Sequence, residues 1–499
     1  MSDSHLRSFL SGLSANPGGS DHPAGKYVMK AAPGLWYEKI STWVVCFYTG
    51  CVFIMGLALA GQATPISGID EEAHFKRALM ISEGIFFAPR FGPNDWGGEL
   101  DTRILGYTDW FHERMFHTSA LAAGREEAGV LALKLSQEPR RFRRESFPST
   151  ASYAPVPYLP AAAGLLISRI SGASVDVQFM AGRVLNIIFY SISMFFVYYL
   201  MPRFKLLALA VLTTPTAVHL SASYSADPVS NILAALFVAY WLRLFLNEAG
   251  QPLRVGQMAA LSALAFLLCM TKIPFIILIL QIIFIPLHSG KSRWNDLAVK
   301  AVMTGIPVAG GLAWNAAYPF VPGRYWGSGA DPHATLQLLF HHPLIQTKVL
   351  MADIRDHLWS WWVDGFSRFC TGPLPYYFVV DGAVPVIGFA ALAGICLTEG
   401  GALPRRWPGV LLICSGLAFA LLNLIAFKVG FAPPGAAYIT GLQGRYFIPA
   451  WLCVSAGIGL LVPGRLWLRS AAVLCFAVYA GVVIRVFAHM MPLYTPWWH

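Results

Sequence analysis

The chain has 499 residues, of which 56% are hydrophobic and only 12% charged, and its formal net charge is +10. Such a composition excludes an ordinary soluble domain and a disordered chain, and it describes a polytopic membrane protein. The apolar runs lack the alternating ten-residue pattern of a membrane barrel, and Lys and Arg gather in short loops between runs, which membrane topology explains better than a nucleic-acid partner.

Residues 1–40 are polar, and the first apolar run, "STWVVCFYTGCVFIMGLALAG", is long enough to span, so it reads as a retained first transmembrane helix rather than a signal peptide. Further crossings are expected near 179–200, 204–220, 228–247, 255–271, 273–288, 298–319, 383–398, 409–428, 444–462 and 466–487. The fold class is therefore all-α and polytopic, with about eleven transmembrane helices. Along the chain this gives an N-terminal tail 1–40, a transmembrane module 41–319 containing a first long loop 62–178, a second long segment 320–382 and C-terminal helices 383–499.

Arg7, Lys26, Lys30 and Lys39 precede the first span, which places the N-terminus in the cytoplasm by the positive-inside rule. The loops bearing Arg203 and Lys205, Arg254, Lys291 and Arg293, Arg405 and Arg406, and Arg465 and Arg469 then also fall inside, and both long segments fall outside. The apolar stretch "PYLPAAAGLLISRI", near 157–170, is shorter than the ~20 residues a crossing needs and reads as a helix at the outer interface. Twelve crossings would require it to span together with a second switch elsewhere. Seven of the eight cysteines lie in apolar runs without metal spacing and read as small core residues.

Under this topology three polar clusters lie at the outer ends of helices. The first is "GIDEEAHFKRALMISEG": in a helix, Asp70 and His74 share one face and Phe75 and Leu79 another, and that helix would lie along the outer membrane surface. The second is "SASYSADPVSN", where Asp227 precedes Pro228 at the start of a span. The third is a set of cations out of place on the outer side: Arg183 in "AGRVLN", Lys272 in "MTKIP" and Arg445 in "LQGRYFIP". Each cation alone reads as a snorkelling or paired side chain, but three of them with acids on one face point to an anion site.

Acids opposite cations at a lipid boundary suit a lipid-linked phosphate. In sugar transfer from such a donor, a carboxylate deprotonates the attacking hydroxyl and the cations stabilise the phosphate as it leaves. The same residues also admit plainer roles. Asp70, Glu71 and Glu72 can be a solvated helix N-terminus favoured by the dipole, His74 a structural hydrogen-bonding partner and Asp227 a helix cap. The acidic "NDWGGELD" and basic "PRRFRRE" read as solvated faces of the outer loop, and Trp359, Trp361 and Trp362 as interfacial anchors.

"DEEAHFKRALMISEGIFF" resembles the Asp-Glu-x-x-His-Phe segment that opens the first outer loop of protein O-mannosyltransferases, which are GT-C membrane glycosyltransferases. More closely, the chain resembles the bacterial domain-of-unknown-function 2142 family, through "DEEAHFKRALMISEG", "YAPVPYLP", "GRVLN", "SYSADPVSN", "TKIP", "VDGFSRFCTGPLP" and "QGRYFIP". The departures are Ile69 and Glu72, where the family usually has Pro on either side of Asp-Glu, and "YAPVPYLP" in place of the mannosyltransferases' His-Pro-Pro.

The resemblance implies a GT-C fold in a bacterial inner membrane, with the active site on the periplasmic face and a polyprenyl-phosphate-linked sugar as donor. The acceptor would be a glycan, lipid or protein, and the reaction inverting. Asp70 is then the catalytic base, with Glu71 beside it orienting the acceptor or binding a metal; His74, Arg183, Asp227, Lys272, Arg445 and Tyr446 would bind substrate. A divalent Mg or Mn, if used, would sit on Asp70, Glu71 and Asp227. Two alternatives belong to other classes: a transporter or flippase of lipid-linked glycan, and an O-antigen-type polymerase or ligase. A carrier would place acids at mid-membrane and show repeated halves; here mid-span positions are almost free of charge and no internal repeat is visible.

Overall fold

The computed structural model describes residues 35–92, 95–116, 125–247, 252–287, 292–319, 329–370, 377–380, 382–401, 406–462 and 468–494. The expected tail, with Arg7, Lys26 and Lys30, lies almost wholly outside them, as do Lys291, Arg405 and Arg465. Helix α1 (Leu35–Gln62) leads into α2 (Glu71–Ser82). Strands β1 (Arg90–Gly92) and β2 (Asp95–Asp101) follow, then α3 (Thr102–Phe116), α4 (Arg125–Gln137), β3 (Phe142–Ser146), α5 (Pro148–Ala151) and α6 (Leu159–Ile170).

The chain continues through α7 (Val175–Leu200), α8 (Lys205–Leu212), α9 (Pro215–Ser221), α10 (Asp227–Asn247) and α11 (Val255–Cys269). A short α12 (Ile276–Ile279) between 3-10 turns precedes α13 (Arg293–Ala317), and α14 (Pro332–His341) and α15 (Pro343–Ser367) form most of the second long segment. After the hairpin β4 (Arg368–Cys370) and β5 (Tyr377–Val379) come α16 (Ala383–Glu399), α17 (Trp407–Phe431), a 3-10 turn at Gly444–Phe447, α18 (Ile448–Leu461) and α19 (Leu468–Tyr494).

Among the described residues seven helices are long and apolar enough to cross a membrane: α1, α7, α10, α13, α17, α18 with its leading turn, and α19. Three more expected crossings are shorter apolar segments: α11, the interrupted stretch around α12, and α16. The eleventh, expected as one helix over 204–220, is broken in two. Thr214 leaves the helical conformation and its hydroxyl accepts from the Ala217 amide, while Pro215, which has no N–H to donate, opens α9. Helix α6 has 12 residues and so rises about 18 Å, well short of a ~30 Å hydrocarbon core.

The first long segment is a small folded unit. Strands β1, β2 and β3 pair antiparallel in that order, with Gly97 opposite Ser146 and Asp101 opposite Phe142. Beneath them, Phe75, Leu79 and Met80 of α2 share one apolar core with Leu100, Ile104, Leu105, Tyr158, Leu165 and Phe179. Helix α2 is packed inside the protein: from His74 to Ser82 every residue is buried, one face against α6 and the other against the sheet.

The charged stretches of this segment are largely solvated, as expected, with Arg140, Arg141, Arg143, Arg144 and Glu99 exposed, and several of these side chains also pair with one another. Arg140 donates to Asp101 (2.8 Å) and to Glu83, and Arg143 bridges Asp109 (2.8 Å) and Glu145 (2.6 Å). Of the three tryptophans read as interfacial, Trp359 is half exposed. Trp361 and Trp362 are buried, and Trp362 donates to the Pro385 carbonyl at 3.0 Å. Cys46 and Cys414, read as core residues, face outward from their helices, whereas Cys269, Cys396 and Cys453 are buried.

Candidate functional site

The polar residues of the sequence clusters meet where α2, α7, α10 and the turn at Gly444–Phe447 come together, in two separate groups. In the first, Glu71 at the start of α2 faces Arg183 on α7. Arg183 donates from Nε to Glu71 Oε1 at 2.8 Å and from Nη2 to Oε2 at 2.6 Å, and both side chains are fully buried. The remaining capacity of each is filled by backbone. Arg183 donates to the carbonyls of Ala60, Ala63 and Thr64, and Glu71 accepts from the amides of Gly68 and Tyr224. A bidentate, fully hydrogen-bonded pair is the geometry in which a buried ion pair offsets its own desolvation.

The second group is built around Arg445. Its Nη2 donates to Asp70 Oδ2 at 2.8 Å and to the Tyr446 hydroxyl at 3.0 Å, and its Nε lies 3.2 Å from Asp227 Oδ2. The other oxygen of Asp227 accepts from Lys272 Nζ, and that ammonium stands over the Tyr446 ring, 4.7 Å from its centroid. Asp227 and Arg445 are buried, but 43% of the Asp70 side chain is exposed. Nη1 of Arg445 is buried and meets no acceptor.

Asp70 owes its direction to an unusual backbone. It is the residue before α2, with φ 57° and ψ 18°, a left-handed conformation rare for a side chain other than glycine, Asn or Asp. The sequence placed Asp70 inside the helix, on one face with His74. Instead it caps the helix through its carbonyl, which accepts from the His74 amide at 3.2 Å, and its carboxylate leaves the helix towards Arg445.

Arg445 is placed by a tight backbone contact. Asp364, near the end of α15, accepts from the Gly444 amide, and a Cβ at Gly444 would stand only 1.8 Å from the Trp361 carbonyl oxygen. Only glycine lets this turn approach α15 so closely. The pieces "VDGF" and "QGRYF" are therefore in direct contact.

His74 completes the wall. Its Nδ1 lies 2.7 Å from the Tyr158 hydroxyl, and its ring is 6.1 Å from that of Tyr153. Burial pushes its pKa down to about 4, against the pull of Asp70 and Asp227, so the ring is neutral near pH 7. Burial likewise raises the phenol of Tyr153.

Of the eight site residues read from the sequence, Asp70, Asp227, Lys272, Arg445 and Tyr446 form one constellation with His74 at its edge, whereas Glu71 and Arg183 form the separate buried pair. Tyr153, Tyr158, Tyr224 and Asp364 were not singled out. They lie in the quoted pieces "YAPVPYLP", "SYSADPVSN" and "VDGFSRFCTGPLP"; Tyr158 follows Pro157 and Asp364 precedes Gly365, while no local pattern marks Tyr153 or Tyr224.

The carboxylates do not fit a divalent metal. Glu71 is saturated by Arg183 and two amides, each Asp227 oxygen faces a cation, and Asp70 is held by Arg445. Among the described residues no three His, Cys, Asp or Glu side chains gather as a ligand set.

Fold and site together define an all-α polytopic membrane protein with a charge constellation beside the folded segment that follows α1. The chain belongs to the family described as "Predicted membrane protein (DUF2142)", whose profile matches residues 53–454 and so takes in every site residue above. No curated protein and no solved structure matches it.

Proposed function

We propose that the protein is a membrane glycosyltransferase of the GT-C type that moves a sugar from a polyprenyl-phosphate donor to an acceptor hydroxyl at the outer face of a bacterial inner membrane. The observation that carries this reading is the position of Arg445. It stands between a half-exposed carboxylate, Asp70, and a buried one, Asp227, with Lys272 alongside and its own Nη1 unmatched. A phosphodiester oxygen offers the acceptor that this guanidinium lacks, and Arg binds such oxygens with a planar fork.

Asp70 takes the proton of the acceptor hydroxyl as its oxygen bonds to the anomeric carbon. The bond from that carbon to the phosphate oxygen breaks, and the electron pair leaves on the lipid phosphate. Arg445 and Lys272 meet the charge that develops there. One displacement of this kind inverts the anomeric centre, and no general acid is needed because phosphate is a good leaving group. Neutral His74 and Tyr446 line the same space and offer hydrogen bonds to sugar hydroxyls.

The test is release of polyprenyl phosphate from a panel of radiolabelled polyprenyl-phosphate monosaccharides by the purified protein in nanodiscs. Release by the wild type and its loss in Asp70→Asn supports the reading. A folded wild-type protein that neither binds nor turns over any of the panel overturns it.

A further inference from the structure

We infer that Glu71 and Arg183 are a positioning clasp, and that the Glu71 carboxylate sets the place of both acids of the site while touching no substrate. The inference rests on the reading of Asp70 as the base.

Glu71 holds Asp70 from one side. Its Oε2 accepts from the Gly68 amide at 2.8 Å, while the Gly68 carbonyl accepts from the Glu71 amide at 3.1 Å. The turn Gly68–Glu71 is thereby closed by both the backbone and the side chain of one residue, with Asp70 inside it in the left-handed conformation. A Cβ at Gly68 would stand 3.0 Å from Glu71 Oε2 and 3.0 Å from Ser223 Cβ, so a bare backbone is what lets the carboxylate come so near. Ile69, the remaining member of the turn, is buried and packs with Leu220.

The same carboxylate holds Asp227 from the other side. Oε1 accepts from the Tyr224 amide at 2.9 Å, three residues before Asp227. Asn186, one turn along α7 from Arg183, donates to the Ser223 carbonyl at 3.0 Å and fixes the same loop. Arg183 in turn fastens the assembly to the end of the first span through the Ala60, Ala63 and Thr64 carbonyls. With no exposed atom on either side chain, the pair acts on chemistry only through the residues it holds.

The experiment combines exchange and kinetics on the full-length protein in nanodiscs. In Glu71→Gln, amide hydrogen exchange should rise about tenfold in 68–74 and 222–228 and stay unchanged in the spans. Its kcat for polyprenyl phosphate release should fall about 100-fold, as expected for a displaced base, with donor KM within about threefold of wild type. Arg183→Lys, which keeps the charge but not the fork, is the milder second variant and should shift the same amides.

The swap Glu71→Arg with Arg183→Glu keeps an ion pair but places a side chain without an acceptor against the Gly68 and Tyr224 amides. It should not restore kcat. Restoration by the swap, or unchanged exchange with wild-type kcat in Glu71→Gln, overturns the clasp and leaves the transferase reading standing. Failure of the wild type to release polyprenyl phosphate overturns that reading instead, while the exchange result, which needs no donor, still judges the clasp.

Discussion

Asp70 and Arg445, 375 residues apart in the chain, are joined at 2.8 Å, and only the first of them is open to its surroundings. The exposed carboxylate is thus neutralised by a guanidinium that is buried and has donors to spare. An anion entering here meets a guanidinium that already holds Asp70 and whose Nη1 still lacks an acceptor.

In the proposed reaction, Asp70→Asn removes the proton acceptor while keeping the size of the side chain. Release of polyprenyl phosphate should fall by about 10²–10⁴-fold, the usual share of a general base. Donor affinity, read by titration of the labelled lipid, should be retained, and a turnover near wild type would remove Asp70 from the mechanism.

Arg445→Lys retains a charge but loses the planar fork that reaches both acids. Donor KM should rise and kcat fall together. Arg445→Ala leaves two carboxylates with Lys272 alone, and the cost of a broken buried pair, about 3–5 kcal/mol, should appear as a lower melting temperature. A variant that melts early but binds donor like the wild type would make Arg445 a structural anchor.

His74 gives a stability that depends on pH. An unfolded chain protonates this ring near its ordinary value of 6.5, whereas the folded site, chiefly through burial, resists protonation down to about 4. The contribution is complete above 6.5 and is lost as pH falls from there towards 4, to an extent of about 3 kcal/mol. His74→Gln keeps a hydrogen bond for Tyr158 but does not titrate. Its melting temperature should depend less on pH between 4 and 6.5 than that of the wild type, and equal slopes would contradict the assignment.

Gly444→Ala tests how Arg445 is placed. The added methyl meets the Trp361 carbonyl and the Gly365 backbone, neither of which is a flexible side-chain end. Overpacking of this kind costs about 1–3 kcal/mol. If the protein remains folded, donor KM should rise as the turn carrying Arg445 is pushed off α15.

The membrane class and most spans were legible because an apolar run of such length is at home in few surroundings besides a bilayer, and the constellation was legible because cations at the ends of apolar helices are costly unless paired. Its division into two groups was not. Arg183, Lys272 and Arg445 look alike as out-of-place cations, and only the tertiary contact of α7 with Glu71 separates the first from the others. Nor does local pattern reveal that Asp70 stands outside its helix, since Asp-Glu-Glu is a good helical start. The pairing within Gly68–Glu71 and with Tyr224 decides that, and it depends on a loop about 150 residues away.

The meeting of Asp70 with Arg445 also bears on biogenesis. Asp70 follows α1, and Arg445 opens α18, 375 residues later in the chain. A nascent chain therefore carries Asp70 through the insertion of the intervening helices without its counter-charge, and the constellation closes only when α18 has been inserted. A chain cut before residue 444 would carry Asp70, Asp227 and Lys272 without the guanidinium that joins the two acids, so the constellation cannot assemble before α18 is in place.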